Sequence, residues 1–402
     1  MNWMKRHLIF INMVWASALM LMTCTMFLGS CTSESGTGSP DVTPVVSTTG
    51  GQTLASQPVP TTQDEITFNV TGDWNQEAST RVVATPALYT DLDVNFDHNG
   101  GTELGTPYIH IDAFYANTEV KMINNAGLFH FHSATTSNKW RFANGGDIVK
   151  YYWPIVGSVT SSSSINVDGH LDFFAYAPST PSEAGVTVSY TNTTHTPVLT
   201  CDLPYDNQGS LKEFIYALSP DKTISDQEAS GGIPLSFMRP FSAILFSISS
   251  AKQRLTLKTI TFKRIYYQGT SSYNSSADPK TTWTPSGTVA DHVFTINDTM
   301  GDTMYTGSTY GPFIVMPQNF SDRSELADIK MVVTYQEYGQ SEVTTAELPI
   351  TGTEYVTGKY RWDAQKKYIY SLDLGSDDGQ VKVYVTVNNW DDRGSQTSSN
   401  VD

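Results

Sequence analysis

The sequence predicts an all-β protein, with two tandem β domains, sandwiches or barrels, behind an export leader and a tether. Three observations predict this. The texture is Thr, Ser, Val, Tyr and Gly, with 12% aromatic and only 16% charged residues, a composition that suits pleated, half-buried surfaces. Apolar and polar residues alternate over short runs, and clusters of Gly, Pro, Asn and Ser interrupt them. No long stretch keeps a helical period; one short helix is expected around Ser324 to Asp328. At 402 residues the chain is too long for one ordinary core. The turn-rich "ASGGI" at 229–233 divides it into an N-terminal β domain over 63–230 and a C-terminal one over 231–392.

The leader comes first. Lys5 and Arg6 form a basic start, Leu8 to Phe27 an apolar stretch, and Gly29 and Ser30 a small-residue site before Cys31. Residues 1–30 read as a secretory signal. By length alone the apolar run could also span a membrane, but Leu28-Gly29-Ser30-Cys31 resembles a bacterial lipobox, in which cleavage precedes a diacylated cysteine. Cys31 is therefore the expected lipid acceptor, and each buried acyl methylene adds about 0.8 kcal/mol of membrane affinity. The Ser/Thr/Gly/Pro-rich run over 31–62 is a flexible tether. Glu34 within it resembles the acidic surface-export signals of Bacteroidetes lipoproteins.

Strand candidates follow. In "EITFNV", Ile66, Phe68 and Val70 alternate with polar neighbours. Then come "TRVVATPALYTDLDVNFDHNGG", "PYIHIDAFYA", "GLFHFHSA", "KWRFANGGDIVKYYWP", "GHLDFFAYAP" and "KEFIYALS", closed by a polar run to Gly232. The second half runs through "IPLSFMRPFSAILFSISS", "LTLKTITFKRIYY", a Ser/Asn-rich loop holding Trp283, "HVFTIND", "GPFIVMPQNF", "DIKMVVTYQEY", "KKYIYSLDL" and "GQVKVYVTVNNW". Residues 393–402 are a polar tail.

Composition excludes several functions. Forty acids against 24 bases leave a net charge of −16, which repels phosphate backbones, so no nucleic-acid partner is expected. Of three cysteines only Cys201 lies in the folded body, where it reads as a core thiol with no disulfide framework around it. Asp91, Asp93, Asn95 and Asp97 alternate like a calcium loop, but Phe96 stands where that loop needs Gly; strand periodicity, with Leu92, Val94 and Phe96 inward, explains them better. His130 and His132 share a strand face without a third ligand and read as exposed. Gly352 to Lys359 approaches a phosphate loop with wrong spacing, and Tyr360 replaces the Ser or Thr. Tyr151, Tyr152 and Trp153 could stack on sugars; packing on the sheet is the simpler reading. No catalytic constellation, metal site or cofactor site emerges, so the chain is not read as an enzyme.

Arg81 stands apart. It is the one basic residue between Arg6 and Lys121, and it follows the first strand-like run. With the "STR" that ends at Arg81, several blocks resemble the fimbrillin family of Bacteroidales, lipoprotein-derived subunits of type V pili. These are "YYWP" with "HLDFFAYAP", "IPLSFMRPFSAILFSIS" with Arg239 in the usual histidine place, "FIVMPQNF", "RWDAQKKYIYSLDL" with Gln365 for a glycine, and "VKVYVTVNNWDD". The resemblance implies transthyretin-like sandwiches and assembly by donor-strand exchange. An arginine-specific protease would cut Arg81–Val82 and remove the first strand. The emptied groove would accept a strand from another pilus subunit, with Val381, Val383, Val385 and Val387 as the donor face. The protein would then be a pilus subunit on the outer-membrane surface, held through the lipid on Cys31 and supporting adhesion. The alternative is a non-polymerising surface lipoprotein or tip adhesin that binds glycan or a host or bacterial surface ligand. Asp298-Thr299-Met300 and Asp302-Thr303-Met304 resemble the O-glycosylation motif of Bacteroides exported proteins, which makes Thr299 and Thr303 candidate acceptors.

Overall fold

The computed structural model describes residues 64–390, apart from 73–86, 90–95, 99–107, 132–138, 145–146, 158–166, 192–193, 207, 252–253, 300–307, 322, 325, 351–359 and 376–380. Cys31, the leader and tether, the Arg81–Val82 bond, Asp91 to Asn95, His132, Thr303, Gly352 to Lys359 and the polar tail lie outside the described residues. Among the described residues the fold is an all-β sandwich. Its strands are β1 (Phe68–Thr71), β2 (Asp97–His98), β3 (Ile109–Tyr115), β4 (Lys121–Phe131), β5 (Lys139–Asn144), β6 (Asp147–Val149) and β7 (Leu171–Ala177). β8 (Val186–Tyr190), β9 (Pro197–Asp202) and β10 (Ile215–Lys222) lead to helix α1 (Ile224–Ser230) and β11 (Ile233–Ser236). Then follow β12 (Ser242–Ser250), β13 (Leu255–Tyr273), β14 (Thr281–Thr299), β15 (Thr309–Val315), β16 (Gln318–Asn319) and β17 (Lys330–Glu337). The last are β18 (Thr344–Pro349), β19 (Arg361–Trp362), β20 (Lys366–Asp373) and β21 (Lys382–Asn389). The short helix expected near 324–328 is a 3-10 turn at Leu326–Asp328.

The largest sheet runs β10-β7-β3-β4-β5-β1-β11. A backbone bridge from Tyr216 in β10 to Met238, just past β11, brings its two ends together. The sheet thus curls around one core, which includes Ile66, Phe68, Ile111, Phe142, Phe173 and Leu235. A second core lies between the sheets β15-β12-β20-β21 and β18-β17-β13-β9-β8; Phe246, Phe262, Trp362 and Tyr370 belong to it. A third joins the outer faces of β7 and β10 to β8, β9, β12 and Trp390. This explains β7, whose sequence LDFFAYA is buried at every position: Phe173 faces the first core and Phe174 the third.

Two sequence expectations need correction. His130 is not exposed but buried, 5.3 Å from the Trp140 ring. Trp283 is not in a loop: β13 and β14 form one hairpin of 19-residue strands, with Trp283 inside the second. Gly269 makes room for that pairing, because a Cβ there would come within 2.9 Å of the Thr284 carbonyl. Cys201 is a buried free thiol, as its context suggested. Burial pushes its pKa up to about 12, so it stays protonated and unreactive.

His292 in β14 is fully buried, and neither ring nitrogen has a hydrogen-bond partner among the described residues. Burial lowers its pKa from 6.5 to about 4. Below pH 6.5 the unfolded chain takes a proton that the folded chain refuses until about pH 4. The neutral histidine therefore supports the fold above pH 6.5, and that support is lost as pH falls toward 4, by about 3 kcal/mol. Urea titrations of His292→Phe should show a shallower loss of stability across this window than the parent. An unchanged slope would show that His292 is already protonated in the fold.

Candidate functional site

The sequence singled out the first strand, the last strand and the Arg81–Val82 bond; among the described residues β1 has a neighbour on each side and β21 on one. β1 is short, four residues, because its apolar alternation ends at Val70. It lies between β5 and β11. The β11 side is parallel, Phe68 with Ile233 through Thr71 with Ser236. The β5 side is one pair, Phe68 with Trp140. Ile66 and Phe68 point into the first core, and Phe68 meets Phe142 and Phe173 edge-on at 5.3 and 5.6 Å.

Two residues that sequence reasoning missed make this seat. Gln227 on α1 acts like a strand partner: its Oε1 accepts from the Thr67 N–H at 2.9 Å and its Nε2 donates to the Glu65 carbonyl at 2.9 Å. The same Oε1 accepts from the Trp153 indole at 3.0 Å. Gly232, at φ +148°, lets β11 approach; a Cβ would come within 2.7 Å of the Phe68 carbonyl carbon. A signal for α1 existed in "TISD", where Thr223 and Asp226 form a capping box. It was hidden inside a run read only as polar. Trp153 is buried while Tyr152 is exposed and bridges Glu65, so the aromatic cluster chiefly lines the seat. Glu65 is held by Lys150 at 3.0 Å.

β21 is an edge strand. It pairs with β20 alone among the described residues, antiparallel from Lys366 with Asn389 to Asp373 with Lys382. Val381 is buried in the second core, whereas Val383, Val385 and Val387 are half-buried against it. Tyr384, on the opposite face, is 59% exposed. The strand ends at Trp390, which is buried in the third core.

A buried ion pair sits between Tyr89 and Trp390. Arg239 and Glu213 are each 1% exposed, and Arg239 Nε donates to Glu213 Oε1 at 2.5 Å. The pair grips the backbone of Tyr89: Glu213 Oε2 accepts its N–H at 2.7 Å, and Arg239 Nη2 donates to its carbonyl at 3.0 Å. Burial, then the Glu213 charge, raise the Tyr89 phenol well above its ordinary range. The guanidinium also lies over the Trp390 ring, 4.8 Å from its centroid.

Of the candidate acceptors, Thr299 is exposed at the end of β14, its hydroxyl 3.0 Å from that of Thr256. No cluster of three or more His, Cys, Asp or Glu suited to a metal occurs among the described residues.

A fimbrillin-like family model matches residues 116–390. No curated protein matches the chain. Among solved structures, it is similar to a fimbrial protein from Bacteroides vulgatus at 14% identity and TM-score 0.45, covering 76% of this chain and 98% of that one. The tip fimbrial protein Mfa3 from Porphyromonas gingivalis matches at 12% and 0.37, covering 71% and 94%. The fimbrial anchor protein Mfa2 from the same organism matches at 11% and 0.28, covering 81% and 97%.

Proposed function

The chain belongs to the fimbrillin-like family, and from that premise we propose that it is a structural subunit of a surface pilus that assembles by donor-strand exchange. The observation that carries this reading is the seat of β1. A short strand precedes Arg81, is flanked on both sides, and buries Ile66 and Phe68 in the core. Its removal would open a groove lined by apolar side chains and by unpaired backbone groups on β5 and β11, a template for another strand.

β21 is the donor. In its own subunit its three valines, Val383, Val385 and Val387, are only half-buried, with Val381 buried just before it, so the three have apolar surface left to bury in a deeper groove. Four fully buried valines contribute roughly 6–12 kcal/mol gross, at about 1.5–3 each, less the entropy of ordering the strand. The lipid on Cys31 holds the precursor at the outer membrane, an arginine-specific protease activates it, and the other partners are pilus subunits. Thr299 and Thr303 are proposed glycan acceptors.

Incubation with an arginine-specific protease, followed by N-terminal sequencing, is expected to give a chain starting at Val82 and to yield filaments; Arg81→Ala should block both. Assembled filaments whose subunits still begin at Cys31 would refute the activation step.

A further inference from the structure

We infer that the Arg239–Glu213 pair is a clasp that couples the two ends of the body, so that loosening the chain after Arg81 loosens the end of β21 and the reverse. One guanidinium serves both ends. It donates to the Tyr89 carbonyl at 3.0 Å and stacks at 4.8 Å on the ring of Trp390. Glu213 holds the guanidinium in place through Oε1 and uses Oε2 to accept the Tyr89 N–H.

The segment so gripped is the first described chain beyond Arg81. Ala87 lies beside Lys212, its N–H bonding to the Leu211 carbonyl at 2.8 Å and its carbonyl to the Glu213 N–H at 2.8 Å. The other gripped residue closes β21: the Trp390 N–H bonds to the Gln365 carbonyl at 2.8 Å, and its ring is buried in the third core. Neither end touches the guanidinium by way of the other, so the ion pair is the shared element. If Trp390 leaves, Arg239 loses an aromatic face that is worth most when desolvated, and its aim on Tyr89 relaxes. If Tyr89 leaves, Glu213 and Arg239 lose the partners that fix their geometry, and the face offered to Trp390 is no longer held. Linkage makes the two effects equal in free energy.

This deepens the strand-exchange reading, on which its biological use rests: an accepting end and a donating end would report to each other inside one subunit. The coupling itself does not depend on cleavage, so its test is separate from N-terminal sequencing.

The test is hydrogen exchange followed by mass spectrometry on the full chain. In Trp390→Ala the peptide holding Tyr89 should exchange about tenfold faster. In Glu213→Gln the peptide spanning β21 and Trp390 should do likewise, with β3 and β7 unchanged in both. Trp390→Phe keeps a ring over the guanidinium and should fall between parent and Trp390→Ala; it also serves if Glu213→Gln does not fold. Parental exchange at Tyr89 in Trp390→Ala overturns the clasp. So does acceleration that spreads equally to β3 and β7, which would report general loosening.

Discussion

A chain that stops at Gln380 is expected to form no filaments while keeping the first core folded. The deletion removes the whole of β21, the strand proposed to seat in a neighbour, yet among the described residues neither the strands of the curled sheet nor the first core reaches past Phe237. The deletion also uncovers β20 and takes Trp390 from the third core, so a full-length variant is the cleaner probe. Val383→Asp with Val385→Asp puts two charges on the donor face and should cost at least about 3 kcal/mol per junction, more than a hundredfold in affinity. Electron microscopy reads filament length, and hydrogen exchange of β3 and β7 reads the first core. Filaments of parental length from either variant would remove β21 as donor.

Glu213→Ala is expected to lower stability by about 3–5 kcal/mol, because it leaves the Arg239 guanidinium buried without its counterion. By contrast, the double change Glu213→Leu with Arg239→Met, which removes both charges and keeps volume, should recover most of that loss, since desolvation consumes much of what a buried pair gains. Urea denaturation of the three proteins decides it. A loss below about 1 kcal/mol for Glu213→Ala would mean that water reaches the guanidinium, contrary to its burial.

Much of the fold was legible because alternation reports which face of a strand meets a core. Phe68, Phe96, Phe262 and Tyr370 were readable in this way, as was the run of Val383, Val385 and Val387. Alternation fails where both faces are covered. His130 was read as exposed because it shares a strand face with His132 and no third ligand was in sight; in the curled sheet both His130 and its neighbour Phe129 are buried. Pro285 and Gly287 looked like loop residues, yet they sit in a strand whose register shifts absorb them, with Pro285 opposite Gly269. The site was legible only as segments. Arg239 stood out as a departure from its block, but its partners Glu213, Tyr89 and Trp390 are far off in sequence and are joined by the fold alone. Gln227 carried no signal beyond the cap of its helix.

The β13–β14 hairpin has a mechanical consequence. At about 3.3 Å per residue, its strands extend to roughly 60 Å. Leu257, Phe262 and Phe294 anchor one end in the second core, while Tyr273 and Trp283 pack on the third. The tip is tied down as well: the Trp283 indole donates to the Pro240 carbonyl at 2.6 Å, and the Tyr216 and Thr281 hydroxyls bond. Its ladder bonds run across the strands. Tension applied along the strands therefore loads many of those bonds together in shear, rather than unzipping them singly from an end. Such a brace lets a subunit carry pull from one end to the other without asking either core to yield first.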